Sequence, residues 1–383
     1  MRPTLYGLMV SEGPPTILHV AAVPFTARNL LLPQMQHLRS SGFRVRLACA
    51  AEPGGWKPDL AEFDPLSLAF PRQLRVLPLV RALQSLPGVV RRSDPEIVHL
   101  HSPAAALPAR LLPRAALPAK TRVVYTVHGF AHQWKDMTTR DNLLAFMEKK
   151  LAPRTDMLLF QSDEDYHRAS DAGFSTELRL IGNGVEDAWF KIPPPPRQRL
   201  TVLFSGRLVR EKGVLDLLEA VALVPELRLV VAGAALDSDR DNVEQQVKSR
   251  AAATDLAGRV EFLGMVSRAE LVKAMSAVSA LVLPSYREGV PRSVIEALAA
   301  GRPAVVTDIR GCRELVKHEV NGFVVPAGRP DLLASALARL ASQDHDEFQA
   351  MCRSARSSAD PSRRESHVFD RIVDAYGSLG VAP

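Results

Sequence analysis

Two clusters of polar residues carry the chemistry this sequence offers, and both lie in its second half. The first is Gly206-Arg207-Leu208-Val209-Arg210-Glu211-Lys212-Gly213. There a forked guanidinium and a point-like ammonium stand close together on a turn. Such a pair suits a diphosphate, whose several anionic oxygens take bidentate and monodentate donors together. A solvated basic turn is the alternative reading. The second cluster runs from Pro284 to Ala297. Glu288 precedes Pro291, a residue suited to the first position of a helix, and Glu296 falls inside that helix. Backbone N–H groups of Gly289 and Val290 at the helix start would face an anion or a hydroxyl. Glu288 and Glu296 are not spaced as two acids flanking one bond, which need roughly 5–10 Å. They read as two hydroxyl acceptors at different depths of an extended ligand. Taken singly, Glu288 is also a capping acid and Glu296 an exposed helix residue.

Strands must aim these residues, and the sequence supplies two sets. Short runs rich in Val, Ile and Leu fall at 17–23, 44–50, 97–101, 122–128, 157–161 and 178–182. They recur at 201–206, 227–233, 259–264, 280–284, 303–308 and 322–326. Helix-length gaps between near-continuous apolar strands imply parallel sheets covered on both faces. The expected fold class is α/β, with two doubly wound Rossmann-like domains facing a cleft and ligands at the carboxyl ends of the strands. Four prolines, Pro193–Pro196, cannot continue a helix or a central strand. They suggest an N-terminal domain over 1–192, a linker over 193–198 and a C-terminal domain over 199–360. A helix follows within 361–383, and its docking site cannot be read from sequence.

The bulk numbers agree with two domains: 383 residues, 46% hydrophobic and 23% charged. Cys49, Cys312 and Cys352 show no metal-ligand spacing, and three thiols cannot all pair, so a reduced, cytoplasmic compartment is expected. The first residues form no signal-like apolar run, and no segment reaches the length of a membrane span. The formal charge of +6 is uneven. Residues 1–122 hold fifteen Lys and Arg against seven acids, an excess of +8, which leaves the rest close to −2. That basic half suggests an anionic partner such as a membrane surface or a lipid phosphate, and nucleic acid is not expected.

Three ordered motifs now point to a family. The segment 203–326 resembles the C-terminal domain of family-4 retaining glycosyltransferases, which have the two-domain GT-B fold. GRLVREKG is similar to the family's phosphate turn and EGVPRSVIE to its E-x7-E signature. GRPAVVTDIRGCRELVKHEVNGFVVP is similar to the segment that follows. TVHGF at 126–130, Glu148 and IGNGV at 181–185 extend the resemblance to the first half. AAVPFTARN at 21–29 stands where the family usually has a Gly-rich loop.

The resemblance implies transfer of a hexose or N-acetylhexosamine from a nucleotide sugar, UDP favoured, to a hydroxyl acceptor that could be lipid-linked. Arg207 and Lys212 would hold the diphosphate and stabilise its growing charge. Glu288 would bind the transferred sugar and Glu296 the ribose. Amides of Gly289 and Val290 would touch sugar and phosphate, and the turn 263–266, with Val266, would meet the base. His128 would reach the sugar from the first domain. The configuration would be retained with a leaving-group oxygen as the base, and no metal cofactor would be needed.

Some readings stay open. His128 could be a structural hydrogen-bonding group, with His132 as a neighbouring competitor, and Asn183 reads as a turn residue. Asp237-Ser238-Asp239 matches a metal-binding DxD but reads better as capping residues of the helix after it. The basic segments 70–92 and 103–122 suit an anionic lipid surface or, alternatively, helices packed on the first sheet with solvated Arg outside. An epimerase, a synthase making a soluble sugar, or a non-catalytic nucleotide-sugar-binding partner are the competing functions.

Overall fold

The computed structural model describes residues 13–51, 54–68, 76–130, 138–195, 200–236, 239, 241–359 and 361–383. His132, Asp237, Ser238, Pro196 and the start of the 70–92 segment lie outside the described residues. The chain divides into two compact units. The first holds residues up to Gln161, Asp165–Ile181 and Phe369–Pro383; the second holds Ser162–Glu164 and Gly182–Val368.

The first unit is built on seven parallel strands: β1 (Thr16–Val20), β2 (Arg44–Cys49), β3 (Leu66–Ser67), β4 (Ile97–His101), β5 (Arg122–Val127), β6 (Met157–Phe160) and β7 (Glu177–Leu180). Their order across the sheet is β3-β2-β1-β4-β5-β6-β7. The second unit has six: β8 (Thr201–Ser205), β9 (Arg228–Ala232), β10 (Val260–Gly264), β11 (Ala280–Leu283), β12 (Ala304–Thr307) and β13 (Gly322–Val325). These are also parallel, in the order β10-β9-β8-β11-β12-β13. All twelve strands read from the sequence are present. β3 is an addition, since two residues are too few to show a period.

Central strands β1, β4, β11 and β12 are buried along their whole length, as expected when helices cover both faces. The helix Val214–Ala222 shows how sequence drives this. It places Val214, Leu217, Leu218 and Val221 on one stripe and buries all four in the second core. Each such fully buried side chain contributes roughly 1.5–3 kcal/mol.

The domain organisation differs from the expectation at one boundary and places the last helix. The boundary falls at Ile181/Gly182 and not at Pro193. The reason is packing: Val185, Trp189, Phe190 and Ile192 are buried in the second core, and Trp189 has no exposed surface. Arg302 and Arg356 then hold the carbonyls of Pro193 (2.6 Å) and Ile192 (2.5 Å), so the described start of the proline run lies against the second unit. The helix Glu365–Ser378, whose docking the sequence left open, gives its residues from Phe369 onward to the first unit. Tyr376 is fully buried there, its ring edge against Phe43 at 5.9 Å, and Arg371 donates to the Ile181 carbonyl at 2.8 Å.

Among the described residues no helix is long and apolar enough to cross a membrane. Cys49, Cys312 and Cys352 are buried and form no disulfide.

Candidate active site

In each sheet the strand order reverses once, between β1 and β4 in the first and between β8 and β11 in the second. Loops leaving the carboxyl ends of such a strand pair diverge to opposite faces and open a crevice. Both motifs of the second half leave from that reversal, one after β8 and the other after β11.

Gly213 makes their approach possible. Its φ is +67°, and a Cβ placed there would lie 2.0 Å from the Pro284 carbonyl oxygen. Gly206, the first residue of that motif, does not adopt a left-handed angle. Across the contact Tyr286 N–H donates to the Glu211 carbonyl at 2.8 Å. Lys212 Nζ therefore meets Glu288 Oε1 at 2.5 Å, and Ser285 Oγ donates to the same oxygen at 2.7 Å. Behind them Gly311, at φ +77°, fits directly under the Gly289 carbonyl, where a Cβ would fall at 1.4 Å. Arg310 donates to the Glu288 carbonyl at 3.3 Å. Arg207 is exposed, and it pairs with Asp239 on the loop after β9. Asp239 also accepts from Leu236 N–H, so it does not cap the helix Glu244–Ala251 as expected; Asn242 bonds the first turn of that helix.

The helix after the second motif runs Arg292–Ala299 with Pro291 as its N-cap, one residue earlier than the expected first position. Glu296 is 2% exposed, not an open helix residue, and Arg268 Nη1 donates to its Oε1 at 2.6 Å. Burial raises the Glu296 carboxyl above its ordinary range, and Arg268 and Arg292 pull against that shift. Arg268 also grips Glu186, and its guanidinium lies over the Trp189 ring at 5.4 Å. Val266, on the loop after β10, packs on the rim of the second core. Val290 is buried, and Asn183 Nδ2 holds its carbonyl at 3.0 Å. Asn183, read as a turn residue, therefore supports the candidate site.

At the reversal of the first sheet the strands carry histidines. His128 follows β5, with Nδ1 3.1 Å from Gln161 Oε1 and Nε2 3.3 Å from His101 Nδ1. His101 Nε2 continues to His19 Nδ1 at 2.9 Å. His99 lies alongside, 4.1 Å from His101 between ring centroids, and bonds Tyr376 OH at 2.5 Å and Thr126 Oγ1 at 2.6 Å. Burial lowers all four histidines, His19 to about 3, so they are uncharged near neutrality.

The sequence reading therefore found Lys212 and Glu288, which the fold brings into contact, and Arg207, which pairs instead with Asp239. It missed the pairing of Asp239 with Arg207, and it missed Arg268, Gln161 and three of the four histidines. His19, His99 and His101 look like ordinary members of apolar strands, and only the pairing of β1 with β4, which sets His19 opposite His99, reveals the cluster.

The described parts of the basic segments include packed helices with arginines on their outer faces. Val76–Ser93 buries Ala82, Leu86, Val89 and Val90 while Arg81, Arg91 and Arg92 stay exposed. Arg110, read as part of a basic surface, is 1% exposed and paired with Glu148 at 2.7 Å.

Comparison with known proteins agrees with this architecture. Residues 27–184 match the model of the glycosyl transferase 4-like domain and residues 185–358 that of the glycosyl transferases group 1. The putative glycosyltransferase EpsD of Bacillus subtilis is 30% identical over 85% of this chain and 87% of its own length. An Escherichia coli UDP-Gal:alpha-D-GlcNAc-diphosphoundecaprenol alpha-1,3-galactosyltransferase is 25% identical over 94% of this chain and 96% of its own. The solved sucrose-phosphate synthase of Thermosynechococcus elongatus superposes with a TM-score of 0.79 at 18% identity, covering 96% of this chain and 99% of that one. With two doubly wound sheets and both motifs at the reversal of the second, the chain belongs to the group 1 glycosyltransferases and is a glycosyltransferase.

Proposed function

We propose that the enzyme transfers a hexose or N-acetylhexosamine from a UDP-sugar, with retention of configuration, to a hydroxyl of a lipid-linked acceptor in polysaccharide or glycoconjugate assembly. The observation that carries this reading is the meeting of Lys212 and Glu288 at the strand-order reversal, with Arg207 exposed earlier on the same loop as Lys212. The two cations take the donor diphosphate and stabilise the charge it gains as the glycosidic bond breaks. Glu288 takes hydroxyls of the departing sugar, Glu296 the ribose, Gly289 and Val290 the adjoining oxygens, and Val266 the base. His128, from the first unit, meets the sugar.

Both acids of this site are engaged by cations, Glu288 by Lys212 and Glu296 by Arg268. That supports a departing phosphate oxygen as the base. The C1–O bond to phosphate breaks, the acceptor oxygen bonds C1 on the same face, and its proton passes to the phosphate. No metal is required, because Arg207 and Lys212 supply the positive charge. The galactosyltransferase relative names a UDP donor and a diphosphoundecaprenol acceptor, which supports both choices. Arg81, Arg91 and Arg92 offer a cytoplasmic anionic lipid surface a place to rest, each adding about 1 kcal/mol.

Thermal shifts with UDP and GDP identify the nucleotide, since a ligand of the folded state stabilises it by mass action. NMR of the product from metal-free enzyme then reads the anomeric configuration, and an inverted product overturns the mechanism. Binding to anionic vesicles that weakens with salt is expected; equal recovery with neutral vesicles removes the membrane surface from the proposal.

A further inference from the structure

The histidines at the reversal of the first sheet form a file with a direction. His19, His101 and His128 connect through two nitrogen–nitrogen contacts of 2.9 and 3.3 Å, and Gln161 stands at one end. A neutral imidazole has one N–H and one bare nitrogen, so fixing one ring fixes its neighbour. Gln161 Oε1 only accepts, so His128 Nδ1 carries the proton and Nε2 is bare. His101 Nδ1 must then donate to that nitrogen, which leaves His101 Nε2 as the acceptor for His19 Nδ1–H. The last atom of the file, His19 Nε2, is a bare nitrogen with no hydrogen-bond partner in a fully buried site. A buried acceptor left empty costs less than a buried unpaired N–H would, so the orphan sits at the end where this direction predicts it.

A metal does not explain the cluster. His19, His99 and His101 each place a nitrogen within 4.8 Å of the others. Yet Tyr376 and Thr126 occupy both His99 nitrogens. The 2.9 Å from His19 to His101 is also shorter than the roughly 3.3 Å that separates two nitrogens on a tetrahedral zinc.

We propose that Gln161 is a positioning residue that locks His128 as the uncharged Nδ1–H tautomer, with His101 and His19 as the file that keeps the lock in register. His128 then offers Nε2 only as an acceptor. A sugar hydroxyl that displaces the long 3.3 Å bond from His101 donates its proton into that nitrogen. The class of ligand this selects is one with a free hydroxyl as donor at that position; a bare ether or carbonyl oxygen finds no N–H there. This step rests on the reading of His128 as the first unit's contact to the sugar.

Selective 15N labelling of histidine in the full chain tests the lock without reference to activity. Expected is a pyrrole-type Nδ1 and a pyridine-type Nε2 on His128 at neutral pH, assigned through single-histidine variants. The opposite tautomer, or a charged ring, overturns the proposal. In Gln161→Leu the preference disappears and kcat/KM falls roughly threefold, the loss of one modest hydrogen bond. In Gln161→Glu the acceptor is kept, and the tautomer returns. The Gln161→Leu loss vanishes in a His128→Ala background, where nothing remains to position. A loss of the same size in both backgrounds sinks the proposal. If His128→Ala alone leaves turnover intact, the role of His128 at the sugar fails instead, while the tautomer measurement still decides the lock.

Discussion

At the reversal of the second sheet the polar groups are charged and paired: Lys212 with Glu288, Arg207 with Asp239, and Arg268 with Glu296. At the reversal of the first they are four uncharged imidazoles with Gln161, Thr126 and Tyr376 around them. The strand order is the same and the chemistry is not. Each cation of the second site has a carboxylate beside it, and that site can grip an anion when one arrives. The histidines of the first lie where desolvation outweighs any other influence, so they exchange uncharged hydrogen bonds. One fold thus yields an electrostatic half and a neutral half, set by how deeply the strand-end residues are buried and by what faces them.

The comparison holds only if the two units are bounded as described, and Trp189→Ala tests that boundary. Trp189 is fully buried in the second core, with its indole N–H on Glu186 at 2.8 Å. Removing it costs about 3–5 kcal/mol. Calorimetry is expected to show the transition of the second unit falling by about 10 °C while the first unit's stays in place. If the first unit's transition moves instead, residues 182–192 belong with it, as the proline run suggested.

A second test weighs the charged half against the neutral one through activity. Lys212→Ala removes a cation at the developing diphosphate charge and leaves Glu288 unpaired, so kcat/KM is expected to fall about 10²–10³-fold. His128→Ala removes only uncharged hydrogen bonds, each about 0.5–1.5 kcal/mol, and is expected to cost about tenfold. Steady-state kinetics of the two variants on one donor and acceptor decide the matter. Equal losses would break the contrast between the halves.

What the sequence made legible follows the same divide. Strands β8 and β11 and the residues just past them announce themselves, because glycine, proline and charged residues interrupt apolar runs at fixed spacing. The partners of those residues were not legible. Arg268 and Asp239 reach Glu296 and Arg207 from other βα units, and no local spacing encodes that meeting. The histidine file was hidden further still, since in IVHLH each histidine takes the place of one more strand residue. The proline run misled because proline forbids helix and central strand but does not mark a boundary; Trp189 and Phe190, just before it, decide where the second core begins.

Proton linkage gives the two halves opposite responses to pH. Burial, with Glu186 and Asp187 adding to it and Arg292 and Arg268 opposing, raises the Glu365 carboxyl of the second unit from 4.5 to about 7. Between those values the folded chain holds a proton that the unfolded chain releases, so this group's contribution falls as pH rises through the window. The penalty is complete above about 7 and absent below 4.5. His19 of the first unit is lowered from 6.5 to about 3, so between those values the unfolded chain binds the extra proton. There stability falls as pH drops. Glu365→Gln deletes the second unit's penalty alone, and after allowance for solvent screening it is expected to gain about 2 kcal/mol at pH near 8 and almost nothing near 4.5. Denaturant titrations of wild type and variant across that range measure the difference directly. A gain of the same size at both ends would show that Glu365 acts through packing and not through its proton.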